Sequence, residues 1–255
     1  MHILLTNDDG IFAPGLAAIY KRLVQLGSVT VAAPSDVRSG AGHSITLKEI
    51  TCEFLDIHGK FEGYSVNGSP ADCVKLALNE LVGPKKKVDI VVSGMNHGAN
   101  VGINVFYSGT VAGAIEAAFY NIPSFAISAA MDEPMDMDSA ANYAVEIIRQ
   151  YQDLPPGRVV NLNIPQLSKG TPKGVLVVPQ STHGFHEEYQ SHMDPYGQMI
   201  YKLTGGNHRD PCDGGWTDTT ALEAGYITLT CLRQELTDPD GNLLLEKRNP
   251  SLSSD

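Results

Sequence analysis

Cysteine is scarce and poorly spaced in this chain: Cys52, Cys73, Cys212 and Cys231 form no CxxC pair. That excludes a small disulfide scaffold and a zinc ribbon. Positive charge is also short, with 18 Lys plus Arg against 29 Asp plus Glu and a formal net charge of −11. Such a field repels nucleic-acid backbones and anionic lipid, so neither a nucleic-acid polymer nor a membrane is expected as partner. An anionic small molecule is admissible only where a local cation reverses that field. No apolar run is long enough to cross a bilayer, and the opening Met1-His2-Ile3-Leu4-Leu5 reads as a first strand, not a signal peptide. A cytoplasmic location is the expectation. The Gly-rich runs match neither GxGxxG nor the GxxxxGK phosphate loop, and no GxSxG elbow occurs, which disfavours dinucleotide binding, P-loop hydrolysis and a hydrolase triad. Internal repeats and low-complexity tracts are absent.

What is present is 255 residues, 42% hydrophobic and 18% charged, enough for a full core. His2 to Thr6 predicts a strand, and Pro14 opens a helix whose Leu16, Ile19, Tyr20, Leu23 and Val24 share one face, ended by Gly27. Val29 to Ala33 is a second strand stopped by Pro34. Short extended pieces are expected around Leu47–Phe54 and Tyr64–Val66, and Ser69-Pro70-Ala71-Asp72 is a helix start. Val88 to Val92 is a β-branched run suited to a strand buried on both faces. A long Gly/Asn loop, 93–109, then leads to a small-residue helix from Thr110 to Tyr120. Ser124–Ser128, the helix 136–151, Val159–Ile164 and Val175–Val178 continue the rhythm.

This alternation predicts an α/β fold: a Rossmann-like, mostly parallel sheet with helices on both faces. Residues 1–179 form that core, and 180–255 a C-terminal extension. The irregular stretch 180–220 suits function or assembly. Tyr226–Leu232 alternates like a half-exposed strand, and the tail from Leu236 is expected to be loosely held. Lys85 to Lys87 reads as a solvated loop. His183, His186, His192 and His208 read as surface histidines, not a zinc cluster.

Three polar loops each follow a predicted strand, and in an open α/β sheet such loops share the carboxyl edge where ligands bind. Asn7-Asp8-Asp9-Gly10 sets two carboxylates side by side, which is costly unless a cation joins them. Hard cations such as Mg²⁺ or Mn²⁺ favour these oxygens; a solvated turn is the competing reading. Arg38-Ser39-Gly40-Ala41-Gly42-His43-Ser44 offers a hydroxyl to a metal and, at His43, a proton donor, against the alternative of a plain surface loop. In the third loop, Asn96, Asn100 and Asn104 precede Ser108-Gly109-Thr110. A helix start with free N–H groups and two hydroxyls can receive an anion, though capping alone would also use them.

Asn7-Asp8-Asp9-Gly10, Ser39-Gly40 with His43-Ser44-Ile45-Thr46, Gly68-Ser69-Pro70-Ala71-Asp72-Cys73, and Ser93-Gly94-Met95-Asn96 through Tyr107-Ser108-Gly109-Thr110-Val111 occur in order. Together with Thr217-Asp218 and Gly225-Tyr226 they resemble the SurE family of survival nucleotidases over nearly the whole chain. The resemblance implies a metal-dependent phosphatase for nucleoside 5′- and 3′-monophosphates, in some members also short polyphosphate. It implies one divalent cation, Mg²⁺ or Mn²⁺, on Asp8, Asp9, Ser39 and Asn96, with Asp8, Asp9 and Asn96 the catalytic set. Phosphate contacts fall on Ser108, Gly109, Thr110 and Asn100; Arg38, His43 and Asn104 are secondary candidates. A homodimer or homotetramer is implied, with the C-terminal hairpin and terminal segment exchanged between subunits. The stretch Asp194–Leu203 lacks the paired Tyr-Trp of many members, and Cys231 stands where proline is common. A receiver-like module would need an Asp after Val88–Val92, where Ser93-Gly94 stands; a non-catalytic nucleotide-binding module is the other alternative.

Overall fold

The computed structural model describes residues 1–82, 86–182, 188–204 and 215–248. Strand β1 (His2–Thr6) is buried at every position, as its apolar run requires when both faces are covered. Helix α1 (Pro14–Leu23) starts on Pro14 and buries Leu16, Ile19 and Leu23. Strands β2 (Ser28–Pro34), β3 (Cys52–Asp56) and β4 (Glu62–Val66) follow. Helix α2 (Pro70–Leu76) opens on a capping box in which Ser69 and Asp72 each accept the other's backbone N–H. Next come β5 (Ile90–His97), α3 (Gly109–Phe119), β6 (Ser124–Ala129), α4 (Met137–Gln150), β7 (Val159–Ile164) and the short β8 (Val175–Val177). The C-terminal part adds a hairpin of β9 (Tyr189–Met193) and β10 (Met199–Leu203), then α5 (Asp218–Glu223), β11 (Ile227–Leu232) and α6 (Pro239–Arg248).

Nine strands form one sheet in the order β3-β4-β2-β1-β5-β6-β7-β11-β8. From β2 to β7 the pairs are parallel; β3 runs antiparallel to β4, and β11 antiparallel to β7. The chain leaves β1 toward β2 and returns on its other side as β5. Strand order therefore reverses between β1 and β5, and the crevice at their carboxyl ends is where such sheets bind ligands. Alternate side chains serve opposite faces. Ile3, Leu5, Ile90 and Val92 pack with α1 and α4 residues such as Leu16, Ala144 and Ile148. Leu4 and Val91 pack the other way, against Val74, Ala77 and Ala117 of the α2–α3 side.

Several expectations need correction. Helix α1 ends at Leu23, Val24 is exposed, and Gly27 instead marks a close crossing: a Cβ there would fall 2.1 Å from the Met1 carbonyl oxygen. Extended structure near Leu47 begins only at Cys52, where β4 supplies a partner. Ser93 to His97 are not loop. They prolong β5, because Asn96 and His97 pair with Ser128 and Ala129 of β6 after a register shift. Strand β11 is buried at five of six positions, since β7 and β8 flank it and a helix layer covers it. The stretch 180–220 holds the β9–β10 hairpin and the start of α5. In keeping with a loosely held tail from Leu236, α6 covers only Pro239–Arg248 of it and buries none of its residues. Of the histidines singled out, His192 lies exposed on β9; His183, His186 and His208, with Lys85, Cys212 and the last seven residues, lie outside the described set.

Candidate active site

Strand β1 delivers Asn7, Asp8 and Asp9 to the crevice. The Asn7 amide donates to the Gly10 carbonyl at 2.8 Å, which folds the acidic pair back over the strand end. Asp8 is 3% exposed, and no ion pair reaches it or Asp9 among the described residues. Burial raises the Asp8 carboxyl above the ordinary carboxylate range; the Thr110 hydroxyl opposes that rise and the Asp9 charge adds to it. Asp9 is raised by burial too, partly offset by the His97 backbone N–H, which donates to its Oδ2 at 3.3 Å, and by the His97 side chain. Two half-dry carboxylates without a counter-charge are a standing cost.

The amino end of α3 closes on this pair. Thr110 Oγ1 donates to Asp8 Oδ1. Gly109 packs so tightly that a Cβ would lie 2.8 Å from Asp8 Cβ, so only glycine fits between the carboxylate and the helix start. Ser108 caps the helix by accepting from Val111 N at 3.1 Å. The small-residue character of α3 thus has a local cause: Gly109 rests on Asp8 and Pro70, and Gly113 on Ser93 of β5 and Thr6 of β1.

Loop 38–46 spans the gap between β1 and α3. Arg38 N donates to the Asp8 carbonyl at 2.7 Å, and Gly42 N to the Tyr107 carbonyl at 2.9 Å, so exposed Ser39 sits between the two walls. Farther along, Asp72 accepts from Thr46 N and from Thr46 Oγ1, the latter at 2.7 Å, while Ser69 Oγ donates to the Ser44 carbonyl at 2.7 Å. The Arg38 guanidinium is engaged with Asn67 Oδ1 at 3.0 Å. His43 is directed toward the middle of α3: its Nε2 meets Glu116 Oε2 at 2.7 Å and its ring stacks on Phe119. Glu116 lies seven residues down α3 from Gly109, or about 10 Å along the helix axis. The buried Glu116 carboxylate also takes Lys75 Nζ at 3.1 Å.

On the β5 side, Asn96 is half-buried and its amide nitrogen donates to the Gly98 carbonyl at 2.7 Å. Asn100 is buried, with its side-chain nitrogen on Ser128 Oγ at 2.8 Å. Asn104 sits in the 3₁₀ turn Gly102–Phe106, where its carbonyl accepts from Tyr107 N. A groove of about 790 Å³ opens beside Ser108 and runs along Ala112, Ile115 and Phe119 toward Pro179 and Leu232.

Four motif segments far apart in sequence therefore meet at one rim. Asp8, Gly109 and Thr110 touch directly; Ser39 and Asn96 are each one residue from a backbone contact to the acidic pair. Among the described residues no group of three or more His, Cys, Asp and Glu side chains could hold a metal. A cation here would have two carboxylates plus neutral hydroxyl and amide oxygens, a donor set suited to a hard divalent ion and unlike zinc's preferred N and S ligands. Reading from sequence did not find Glu116, Lys75, Gln180, or the buried asparagines Asn161 and Asn163. The last two had a visible signal: two amides at alternate positions of an otherwise apolar strand run.

The fold and rim define an α/β protein in which an acidic pair and a capped helix start meet at a topological switch point. Residues 3–187 match the family model described as Survival protein SurE. The chain is 41% identical to a protein named 5′-nucleotidase SurE from Syntrophobacter fumaroxidans over 243 residues, 93% of this chain and 95% of that one. A protein of the same name from Rhodopirellula baltica is 42% identical over 258 residues, covering 99% of each. The crystal structure of Sure protein from Aquifex aeolicus superposes with a TM-score of 0.81 at 35% identity, covering 98% of both chains. The chain belongs to the SurE family.

Proposed function

We propose that this chain is a metal-dependent phosphatase that hydrolyses nucleoside 5′-monophosphates, and also 3′-monophosphates, to nucleoside and phosphate. The observation that carries this reading is the meeting of a carboxylate pair, Asp8 buried and Asp9 half-buried with no ion pair among the described residues, with a capped helix start, through the Thr110–Asp8 hydrogen bond. Asp8, Asp9, Ser39 and Asn96 would hold one divalent ion, Mg²⁺ or Mn²⁺. When bound, the ion supplies Lewis acidity at a phosphoryl oxygen and a lowered pKa for water. The helix start at Gly109 and Thr110 orients the remaining phosphate oxygens, with the positive end of the helix dipole behind them. Thr110 holds the Asp8 carboxylate in position, and Ser108 fixes the helix turn that carries the N–H groups. The groove beside Ser108 has a volume suited to the nucleoside half. Asn100, buried and bonded to Ser128, Asn161 and Asn163, and Asn104 in the 3₁₀ turn support the segment that leads to Ser108 and do not line the groove. Arg38 holds loop 38–46, whereas His43 both ties that loop to Glu116 and lines the groove.

The same reading includes a homodimer or homotetramer. All ten residues of β9 and β10 are exposed, among them Tyr189, Met193, Ile200, Tyr201 and Leu203. A two-stranded hairpin of this kind is marginal alone and gains stability by packing on a partner.

The test is phosphate release from metal-stripped protein across a panel of nucleoside monophosphates and short polyphosphates, with Mg²⁺, Mn²⁺ or Co²⁺ restored. Turnover of monophosphates that needs an added ion is the expected result. Chelator-resistant turnover, or nucleotide binding with no release under any ion, would overturn the assignment.

A further inference from the structure

The segment 100–102, which leads into the 3₁₀ turn and then to Ser108, is held by side chains, not by strand pairing. Asn100 N donates to Asn163 Oδ1 at 2.8 Å, and the Asn100 carbonyl accepts from Asn161 Nδ2 at 2.7 Å. The Gly102 carbonyl accepts from Gln180 Nε2 at 2.8 Å. The Gly102 N–H donates to Asp218 Oδ2 at 3.0 Å. Three of these four partners are neutral amides. Asp218 alone is a carboxylate, fully buried, and no ion pair reaches it among the described residues.

An unpaired buried carboxylate is costly, so its second oxygen needs a reason. Oδ1 serves its own neighbourhood, accepting from Ser181 N at 2.8 Å and Thr219 N at 2.9 Å. An asparagine oxygen would do that equally well. Only the Gly102 N–H, 116 residues away in sequence, demands a second acceptor. Gly102 has φ +57, so the turn it opens is set by this bond and by the Gln180 bond on its carbonyl.

We propose that Asp218 is a positioning residue for the phosphate-contacting end of α3, fixing the Gly102 turn so that Ser108 to Thr110 face the acidic pair. This rests on the phosphatase reading above. It also gives the C-terminal segment a part in the chemistry, through a residue that touches neither metal nor substrate.

The experiment compares wild type with Asp218→Asn, the isosteric change that turns one acceptor into an –NH₂ facing the Gly102 N–H. Losing a hydrogen bond to a charged acceptor should raise KM for a nucleoside monophosphate about tenfold. The inhibition constant for inorganic phosphate should rise in step, while Mn²⁺ affinity, measured calorimetrically without nucleotide, should fall by a clearly smaller factor, because Thr110 keeps its own bond to Asp8. Gln180→Glu, which sets a carboxylate against the Gly102 carbonyl, should act in the same direction and carries the test if Asp218→Asn does not fold. Ser124→Ala is the stability control. That buried hydroxyl bonds the Ala114 carbonyl at 2.7 Å at the opposite, amino end of β6, and its loss should lower Tm without moving KM. An unchanged KM and phosphate constant in folded Asp218→Asn would overturn the proposal, as would Mn²⁺ affinity falling in parallel with KM. Should wild type release no phosphate with Mn²⁺, the phosphatase reading fails. Amide exchange at 101–105 then decides the role of Asp218: faster exchange in the variant supports it and unchanged exchange refutes it.

Discussion

The two walls of the rim are held by opposite chemistry. At the end of β1 the charge is concentrated and unbalanced: Asp8 and Asp9 sit together, both raised by burial, and what opposes the rise is the Thr110 hydroxyl with the Asp8 and Thr110 backbone N–H groups at Asp8, and His97 at Asp9. Across the crevice, the approach to α3 is fixed by neutral amides, those of Asn100, Asn161, Asn163 and Gln180. Its one carboxylate, Asp218, is spent on three backbone N–H groups. Under the proposed reading, the difference is what would let a chain of net charge −11 receive an anion. The acidic pair that would take a cation has no ion pair among the described residues, whereas on the wall that would face a phosphate the single carboxylate is covered by backbone N–H groups and the rest are dipoles.

The largest effect should come from neutralising the charged wall. Asp8→Asn or Asp9→Asn should lower phosphate release by more than about a hundredfold, since even outer-shell partners of a metal cost 10–100-fold. Both variants should fold, and metal-free protein should gain stability near neutral pH. The sign follows from the raised carboxyls: their stabilising contribution is present below the unfolded value of 3.8 and lost as pH rises through the folded value. Urea midpoints with and without Mn²⁺ check this. A variant no more stable than wild type without metal would show that the pair is already balanced.

The joint between the walls is the next target. Thr110→Val removes the hydroxyl that donates to Asp8 while keeping the shape of the side chain, and should weaken Mn²⁺ binding about 10–100-fold. Thr110→Ser should restore most of it. If valine binds Mn²⁺ as threonine does, the two walls act independently.

How much of this was legible in the sequence depends on whether the cause was local. Strand β1, the Pro14 start of α1, the Ser69–Asp72 box and strand β7 could be read directly, because periodicity and capping reside in neighbouring residues. The acidic pair and the α3 start were also legible as motifs. Ser93 to His97 misled because their composition is that of a turn, whereas the ladder to β6 that makes them a strand comes from residues 128 and 129. The place of β11 between β7 and β8, and the turn of His43 onto Glu116, are likewise decided by partners far away in sequence. Local pattern marks which loops meet at the rim. It does not say which way a side chain within them will point.

The smallest effect concerns the bridge between the walls, and its sign is opposite to that of the acidic pair. Loop 38–46 is tied by two carboxylates. Burial would raise Asp72, but the Thr46 hydroxyl and the Ser69 and Thr46 N–H groups hold it below its ordinary 3.8. Burial would raise Glu116 as well, and His43 and Lys75 hold it below 4.5. For a carboxylate lowered by folding, the unfolded chain takes up protons first as pH falls. The stabilisation is therefore present above the unfolded values of 3.8 and 4.5 and is lost as pH drops through the folded ones. Glu116→Gln, which keeps the shape and removes the charge, should cost about 2 kcal/mol at pH 7, the scale of hydrogen bonds to a charged acceptor. That gap between wild type and variant should hold down to about pH 5 and close below it, as read from urea midpoints across the range. Turnover near neutral pH should fall only a few-fold, because Glu116 lies about 10 Å down α3 from its amino end. A loss as large as that of Asp8→Asn would mean that the bridge belongs to the reacting centre and is more than its support.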